Sequence, residues 1–123
     1  MRTKPQILLV DDEDSICVAV SQILGAHGYQ VEARHNGIDA LASFLADPYA
    51  YSLIITDQTM PEMTGDQLIA AVRQRSDRIP IVLASGYRSK LTTRRMDELS
   101  ITQVLAKPYS ESALLEAIRR AGS

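Results

Sequence analysis

The sequence predicts an α/β fold in which one parallel sheet carries helices on both faces. Three observations lead there. Five short runs of branched apolar residues recur along the 123 residues. Helical spacing fills the intervals between them, and several runs are apolar from end to end, as strands covered on both faces must be. Strands that alternate with helices join through right-handed crossovers into a parallel, doubly wound sheet. No internal repeat or linker interrupts the pattern, and the length suits a single domain over residues 1–123 that needs no disulfide or structural metal.

The first strand is "QILLV", followed by four consecutive carboxylates, Asp11, Asp12, Glu13 and Asp14. A helix follows on the stripe Ile16, Ala19, Val20, Ile23 and Leu24, with Gly28 as its stop. Cys17, the lone cysteine, reads as helix packing, yet that stripe puts Cys17 and Val18 on the outward side. After the second strand, "QVEAR", Asn36 caps a helix through Leu41 and Leu45 that ends near Pro48, and Tyr49 and Tyr51 read as packing residues of the next loop. The third strand, "SLIIT", leads into Asp57. Thr64 and Gln67 then have capping-box spacing ahead of Leu68, Ile69 and Val72. "IVLAS" is the fourth strand. Between Tyr87 and Ile101 only Met96 and Leu99 are clear buried candidates in a basic, Thr-rich stretch, which predicts a short helix. "TQVLA" is the fifth strand, and Leu114, Ala117, Ile118 and Ala121 mark a final helix before Gly122.

Composition excludes several classes. With 46% hydrophobic and 23% charged residues the chain is an ordinary water-facing globule rather than a disordered or fibrous one. The apolar run of the N-terminus is too short for a secretory signal, and nothing spans a membrane. A net charge of -2 gives no general attraction to nucleic acid, and Arg73, Arg75, Arg78, Arg88, Lys90, Arg94 and Arg95 read as solvated helix faces. A single cysteine suits a reducing cytoplasm. His27, at a helix end, and His35, after a strand, have no ligand or donor context; a last-turn histidine is favoured by the helix dipole alone.

Ligands of such sheets bind beyond the carboxyl ends of the strands, at the point where strand order reverses. Asp11 and Asp12 end the first strand there, Asp57 the third, Ser85 the fourth and Lys107 the fifth. A hard divalent cation turns the mutual repulsion of gathered carboxylates into attraction. Mg2+ suits one or two carboxylates, a carbonyl and retained waters, with room left for a phosphoryl oxygen. Glu13 and Asp14 read instead as acids favouring a helix N-terminus.

The stretches "LLVDDE", "LIITDQTMPEMTG", "IPIVLASG" and "VLAKPY" stand in one order along the chain, and together they resemble the receiver domains of two-component response regulators. The resemblance covers essentially the whole chain. It implies a (βα)5 flavodoxin-like fold of strand order 2-1-3-4-5. It also implies transfer of a phosphoryl group from the phosphohistidine of a histidine kinase or histidine phosphotransfer protein onto Asp57. Asp11, Asp12, Asp57 and the carbonyl of Thr59 are then the Mg2+ ligands, with Asp11 acting directly or through water. Ser85 is the cleft hydroxyl and Lys107 the cleft lysine. Pro61 stiffens the loop after Asp57, Gly65 lets the next helix start close by, and Pro108 follows Lys107 through a cis bond. Such a domain is not an enzyme toward separate substrates; it catalyses only its own phosphorylation and dephosphorylation.

The chemistry asks for these residue types on its own terms. A carboxylate attacking an anionic phosphoryl group needs a cation to neutralise charge, a compact ammonium and a hydroxyl donor. Three other functions fit the sequence less well. A phosphohydrolase with an aspartate nucleophile could pair Asp12 and Asp14, but 123 residues leave no cap domain to enclose a substrate. A flavodoxin-like electron carrier would need phosphate-binding donors where this chain has acids. A receiver fold serving only as an interaction module would not need Asp57, Ser85 and Lys107 together.

One departure from the family pattern concerns output. Receivers often carry an aromatic ring three residues before the cleft lysine, and here Val104 stands there. Valine is stiff and short, so a two-position ring switch cannot work in that form. Either Tyr87 supplies the moving ring, also shielding the cleft from water, or the domain mainly passes its phosphoryl group onward. The pattern suggests a stand-alone receiver or, in preference, the receiver of a hybrid histidine kinase. The apolar outward face of the first helix, Val18 above all, suggests where the histidine donor docks.

Overall fold

The computed structural model describes residues 5–86 and 90–122. Among them five strands alternate with five α-helices: β1 (Gln6–Val10), α1 (Asp14–Ala26), β2 (Val31–Arg34), α2 (Gly37–Ala46), β3 (Tyr51–Asp57), α3 (Gly65–Arg75), β4 (Ile81–Ser85), α4 (Thr93–Glu98), β5 (Gln103–Ala106) and α5 (Glu111–Ala121), with a 3-10 turn at Pro48–Ala50 before β3. Every strand pairing is parallel and the order is β2-β1-β3-β4-β5.

Alternation along each strand divides the core in two. Ile7, Leu9, Leu53, Ile55, Val82 and Leu105 point to one face, where Val20 and Leu24 of α1 and Leu114 and Ile118 of α5 cover them. Leu8, Val10, Ile54, Ile81 and Leu83 point to the other, under Ala40 and Phe44 of α2 and Leu68, Ile69 and Val72 of α3. The end-to-end apolar strands follow directly, because both side-chain sets are buried. The expected strand order is the one observed.

Several local expectations need correction. In α1 the buried positions are Cys17, Val20 and Leu24, while Ala19 is exposed and Ile16 and Ile23 lie at the edge. An apolar stripe that wide leaves the helix phase undetermined, and the turn at Asp11 to Glu13 sets it. Cys17 therefore packs inward and donates its thiol to the carbonyl oxygen of Asp11 at 3.3 Å. Burial first, with Asp11 adding to it, pushes that thiol up to about 11. Val18 is 51% exposed, as expected.

In α2 the side chain of Asn36 accepts from the Asp39 amide, so the cap holds, but Leu45 is exposed and Phe44 is buried. Phe44 stacks on Tyr51 at 6.2 Å between centroids. Tyr51 is not a loop residue; it opens β3 and donates its hydroxyl to Glu32 at 2.5 Å, whereas Tyr49 is exposed. The Thr64 and Gln67 capping box of α3 is present.

Helix α4 is short, as predicted, and contains no buried residue; Leu99 is buried just beyond it and Met96 is half-buried. Arg73 does not belong to a solvated face. Its guanidinium donates to the Ile79 carbonyl (2.9 Å) in the turn before β4 and to the carbonyls of Leu99 (2.8 Å) and Ser100 (2.8 Å), tying α3 to the chain that links α4 with β5.

Candidate functional site

The carboxyl ends of β1, β3, β4 and β5 gather the predicted residues. The amide of Asp11 donates to the Arg34 carbonyl at 3.2 Å, one step past the end of β1, and the Glu13 amide donates to Asp11 Oδ1 at 2.9 Å. These bonds hold Asp11 inside the cleft at 2% exposure, while Asp12 stands at its rim. Asp57 is the last residue of β3, opposite Ala84 of β4, and 6% exposed. Asp11, Asp12 and Asp57 each offer a carboxylate oxygen, and the three oxygens all lie within 4.8 Å of one another.

Lys107 arrives from β5. Its amide donates to the Ser85 carbonyl at 3.1 Å, which sets the two residues side by side. Its ammonium lies 3.3 Å from Asp57 Oδ2 and 3.4 Å from Asp11 Oδ2, bridging residues far apart in sequence. The half-buried Ser85 hydroxyl contacts the Gly86 carbonyl at 3.4 Å. Burial raises the Asp57 carboxyl above its ordinary value; Lys107 opposes that and Asp11 reinforces it. Burial works to lower the Lys107 ammonium, but Asp57 and Asp11 override it and leave it raised. Among the described residues, three carboxylates thus face one ammonium, and a hard divalent cation fits that set of oxygen donors.

The loop after β3 is built for close approach. Gly65 donates its amide to the Gln58 carbonyl at 2.9 Å. A Cβ on Gly65 would run into the Asp57 carbonyl oxygen and stand 2.9 Å from Gln58 Cα, so only glycine fits there. The Pro61 carbonyl accepts from the Met63 amide at 2.7 Å, with Glu62 between them at a φ of 68°. Thr59 is exposed. The Lys107-Pro108 bond is cis. Val104 is 49% exposed, on the side of β5 away from buried Leu105. Tyr87 lies outside the described residues.

Glu13 and Asp14 stay out of the cluster, at the start of α1. His27 Nδ1 lies 3.0 Å from the Ile23 carbonyl at the end of that helix. His35 Nε2 pairs with Asp14 Oδ1 at 3.0 Å, a partner that sequence spacing does not suggest. Nor does spacing mark Gln58 and Asp66, though they share a loop with Asp57. Gln58 Nε2 donates to Asp66 Oδ1 at 2.8 Å, and the Asp66 amide donates back to Gln58 Oε1 at 2.8 Å. The only sequence signal is the position of Gln58, directly after Asp57.

Comparison with known proteins agrees with this fold. Residues 7–119 match the family described as the response regulator receiver domain. The chain is 30% identical over 115 residues to the response regulator protein FleR of Pseudomonas aeruginosa, covering 94% of this chain and 24% of that protein. It is 34% identical over 111 residues to the two-component response regulator ORR3 of Oryza sativa, covering 89% and 84%. The sensor kinase CckA of Brucella abortus matches at 27% identity, with 92% of this chain covering 12% of the kinase. The chain therefore spans a minor part of FleR and CckA. Among solved structures, the chemotaxis response regulator CheY4 of Vibrio cholerae superposes with a TM-score of 0.85 at 34% identity, covering 97% of this chain and 99% of that one. A response regulator receiver domain protein from Clostridium thermocellum gives a TM-score of 0.89 at 21% identity, covering 97% and 94%, a likeness of fold alone.

Proposed function

The chain belongs to the receiver domains of two-component response regulators, and on that premise we propose that Asp57 is the phosphoacceptor of a histidine-to-aspartate transfer. The observation that carries this reading is the Asp11, Asp12 and Asp57 oxygen cluster, with Lys107 bridging two of its members. One Asp57 oxygen attacks phosphorus, the P–N bond to the donor imidazole breaks, and its electron pair stays on the ring nitrogen. Lys107 exchanges a carboxylate for a phosphoryl oxygen as a compact cation, and the Ser85 hydroxyl donates to another. Asp11, Asp12, Asp57 and the Thr59 carbonyl would hold Mg2+, which would neutralise the charge spread over the equatorial oxygens. Incubation with acetyl phosphate should add one phosphoryl group only when Mg2+ is present, and peptide mapping should find it on Asp57. A label on any other residue would defeat the assignment.

The donor docks, in this reading, on α1 beside the cleft. Val18 stands outward on one flank of that helix, beside Ser21, Ala33 and His35, and on the other flank Ile16, Ala19, Ile23, Pro108 and Tyr109 line a mainly apolar groove of about 310 Å³ that Lys107 borders. Val18→Glu should leave labelling by acetyl phosphate intact while slowing transfer from the cognate histidine protein about tenfold, a barrier change near 1.4 kcal/mol. Equal loss with both donors would mean damage to the site itself.

Output follows from Val104. With valine where a ring would move at position 104, this receiver acts by handing its phosphoryl group on, the role of a receiver within a hybrid histidine kinase. Mixing the phosphorylated chain with a histidine phosphotransfer protein should move the label onto histidine. Label that stays on Asp57 under those conditions would speak for a stand-alone regulator. We place the domain in the cytoplasm, a reducing compartment that the lone Cys17 suits.

A further inference from the structure

In the function proposed above the Thr59 carbonyl is a cation ligand, yet Thr59 lies on an exposed loop. Thr59, Pro61 and Glu62 are all open to solvent, and Met60 is the buried apolar anchor among them. Packing of one side chain restrains such a loop without fixing the rotation of its peptide groups.

The residue just before Thr59 is held much more tightly. Gln58 donates its amide to the Ala84 carbonyl at 2.9 Å and accepts from the Gly65 amide at 2.9 Å. Its side chain forms the two-point pair with Asp66 described above, so backbone and side chain are bonded on both their donor and acceptor sides. Asp66 is itself secured. Thr64 Oγ1 donates to its Oδ1 at 2.6 Å, and Arg95 of α4 lies 3.3 Å from its Oδ2. The segment from Gln58 to Asp66 is thereby closed on itself at its base, with Thr59 the first residue inside the closure.

We propose that the Gln58–Asp66 pair is the positioning device for the Thr59 backbone, and through it for cation binding at the Asp11, Asp12 and Asp57 cluster. This rests on the reading of that cluster as a Mg2+ site. Neither Gln58 nor Asp66 touches the cation or the phosphoryl group. Their part is to hold the Thr59 peptide in one orientation, so that its carbonyl is presented without reordering the loop. An outer group that orients a ligand in this way is typically worth an order of magnitude or more in metal affinity.

The test is calorimetric titration of the folded chain with Mg2+ alone, at a temperature where circular dichroism shows each variant native. Gln58→Met keeps the length of the side chain and removes both polar ends, and should weaken Mg2+ binding about tenfold. Asp66→Ala should do the same. Asp66→Asn should restore near wild-type affinity, because its oxygen still accepts from Gln58 and Thr64 and its amide still donates. Arg95→Met, which leaves the pair intact, should also bind as wild type. A purely structural role would lower the melting temperature of Gln58→Met without changing the affinity of the folded protein. Wild-type affinity in both Gln58→Met and Asp66→Ala, alongside lost binding in Asp12→Ala, would overturn the proposal while leaving the cation site standing. Equal loss in Asp66→Asn would overturn it as well, since the charge of Asp66 and not its pairing would then matter. Absence of Mg2+ binding in the wild-type chain would remove the reading of the cluster, and this inference with it.

Discussion

Asp57 and Asp66 stand at the two ends of one loop, both largely withdrawn from solvent, and their surroundings are opposite in kind. Around Asp57 are two further carboxylates and one ammonium. Around Asp66 are donors: the Gln58 amide group, the Thr64 hydroxyl and the Arg95 guanidinium. Burial pushes both carboxyls upward. At Asp57 it prevails, with Asp11 adding to it against Lys107, and the carboxyl stays raised. At Asp66 the hydrogen bonds from Thr64, Gln58 and Arg95 override burial and the carboxyl is lowered. A carboxylate supplied with donors is finished and serves the fold. One packed against other carboxylates is completed only by something that arrives, which is what a reactive site requires.

The largest effect should be on phosphorylation. Asp57→Asn is expected to abolish the Mg2+-dependent gain of a phosphoryl group from acetyl phosphate in intact-mass measurements, and Asp66→Asn to retain it. Full labelling of the Asp57 variant would erase the distinction between the two carboxylates.

Next comes the joint that holds both ends together. Gly65→Ala forces a methyl group against the Asp57 carbonyl and the Gln58 backbone, which cannot yield as a flexible side chain would. A loss of about 2–3 kcal/mol in urea unfolding is expected. An unchanged midpoint would show that the loop gives way at no cost and that neither end is rigidly placed.

Mg2+ should raise the melting temperature of the wild-type chain, because it binds only the folded cluster. At a concentration ten times its dissociation constant the gain is about 1.4 kcal/mol. Asp12→Ala should lose that shift and Asp66→Asn should keep it. A shift that survives in Asp12→Ala would take Asp12 out of the ligand set.

The smallest effect is the pH dependence, and it runs in opposite directions at the two ends. Asp66 has a folded value below its ordinary 3.8, so its contribution is present above that pH and lost as pH falls through the folded value. Asp57 has a folded value above 3.8, so ionising it costs the fold stability as pH rises through the interval between the two values. Without Mg2+, Asp57→Asn should therefore be somewhat more stable than wild type at pH 7. Asp66→Asn should be less stable there by about 1 kcal/mol, the gap closing in acid. Parallel profiles for the two variants would break the comparison.

Position along the chain separates what is legible in the sequence from what is not. Asp11, Asp57, Ser85 and Lys107 are legible because each stands at the end of a strand, and in a parallel sheet strand ends meet at one edge. Their meeting needs no knowledge of side-chain detail. The Thr64 and Gln67 cap is legible for a similar reason, since both partners lie within one turn. The inward turn of Cys17 is not, because the apolar positions on α1 outnumber those the sheet can cover, and only docking selects among them. Nor is the role of Arg73, whose charge reads as a surface feature until the carbonyls of Leu99 and Ser100 are brought beneath it.

By itself the sequence determined the period of each element, and with it the parallel sheet, the two-sided core and the edge at which the carboxylates collect. These depend on local spacing and on the burial of apolar residues, both written in the order of the chain. Tertiary structure alone decided which positions of α1 and α2 turned inward and which polar groups distant along the chain found partners. Gln58 and Asp66 became a pair because β4 and α3 hold the two ends of their loop, and Asp57 acquired its raised carboxyl because burial and Asp11 outweigh the Lys107 that arrives from β5. Packing and electrostatics act between residues that are neighbours in space, and those neighbours exist only once the chain has closed on itself.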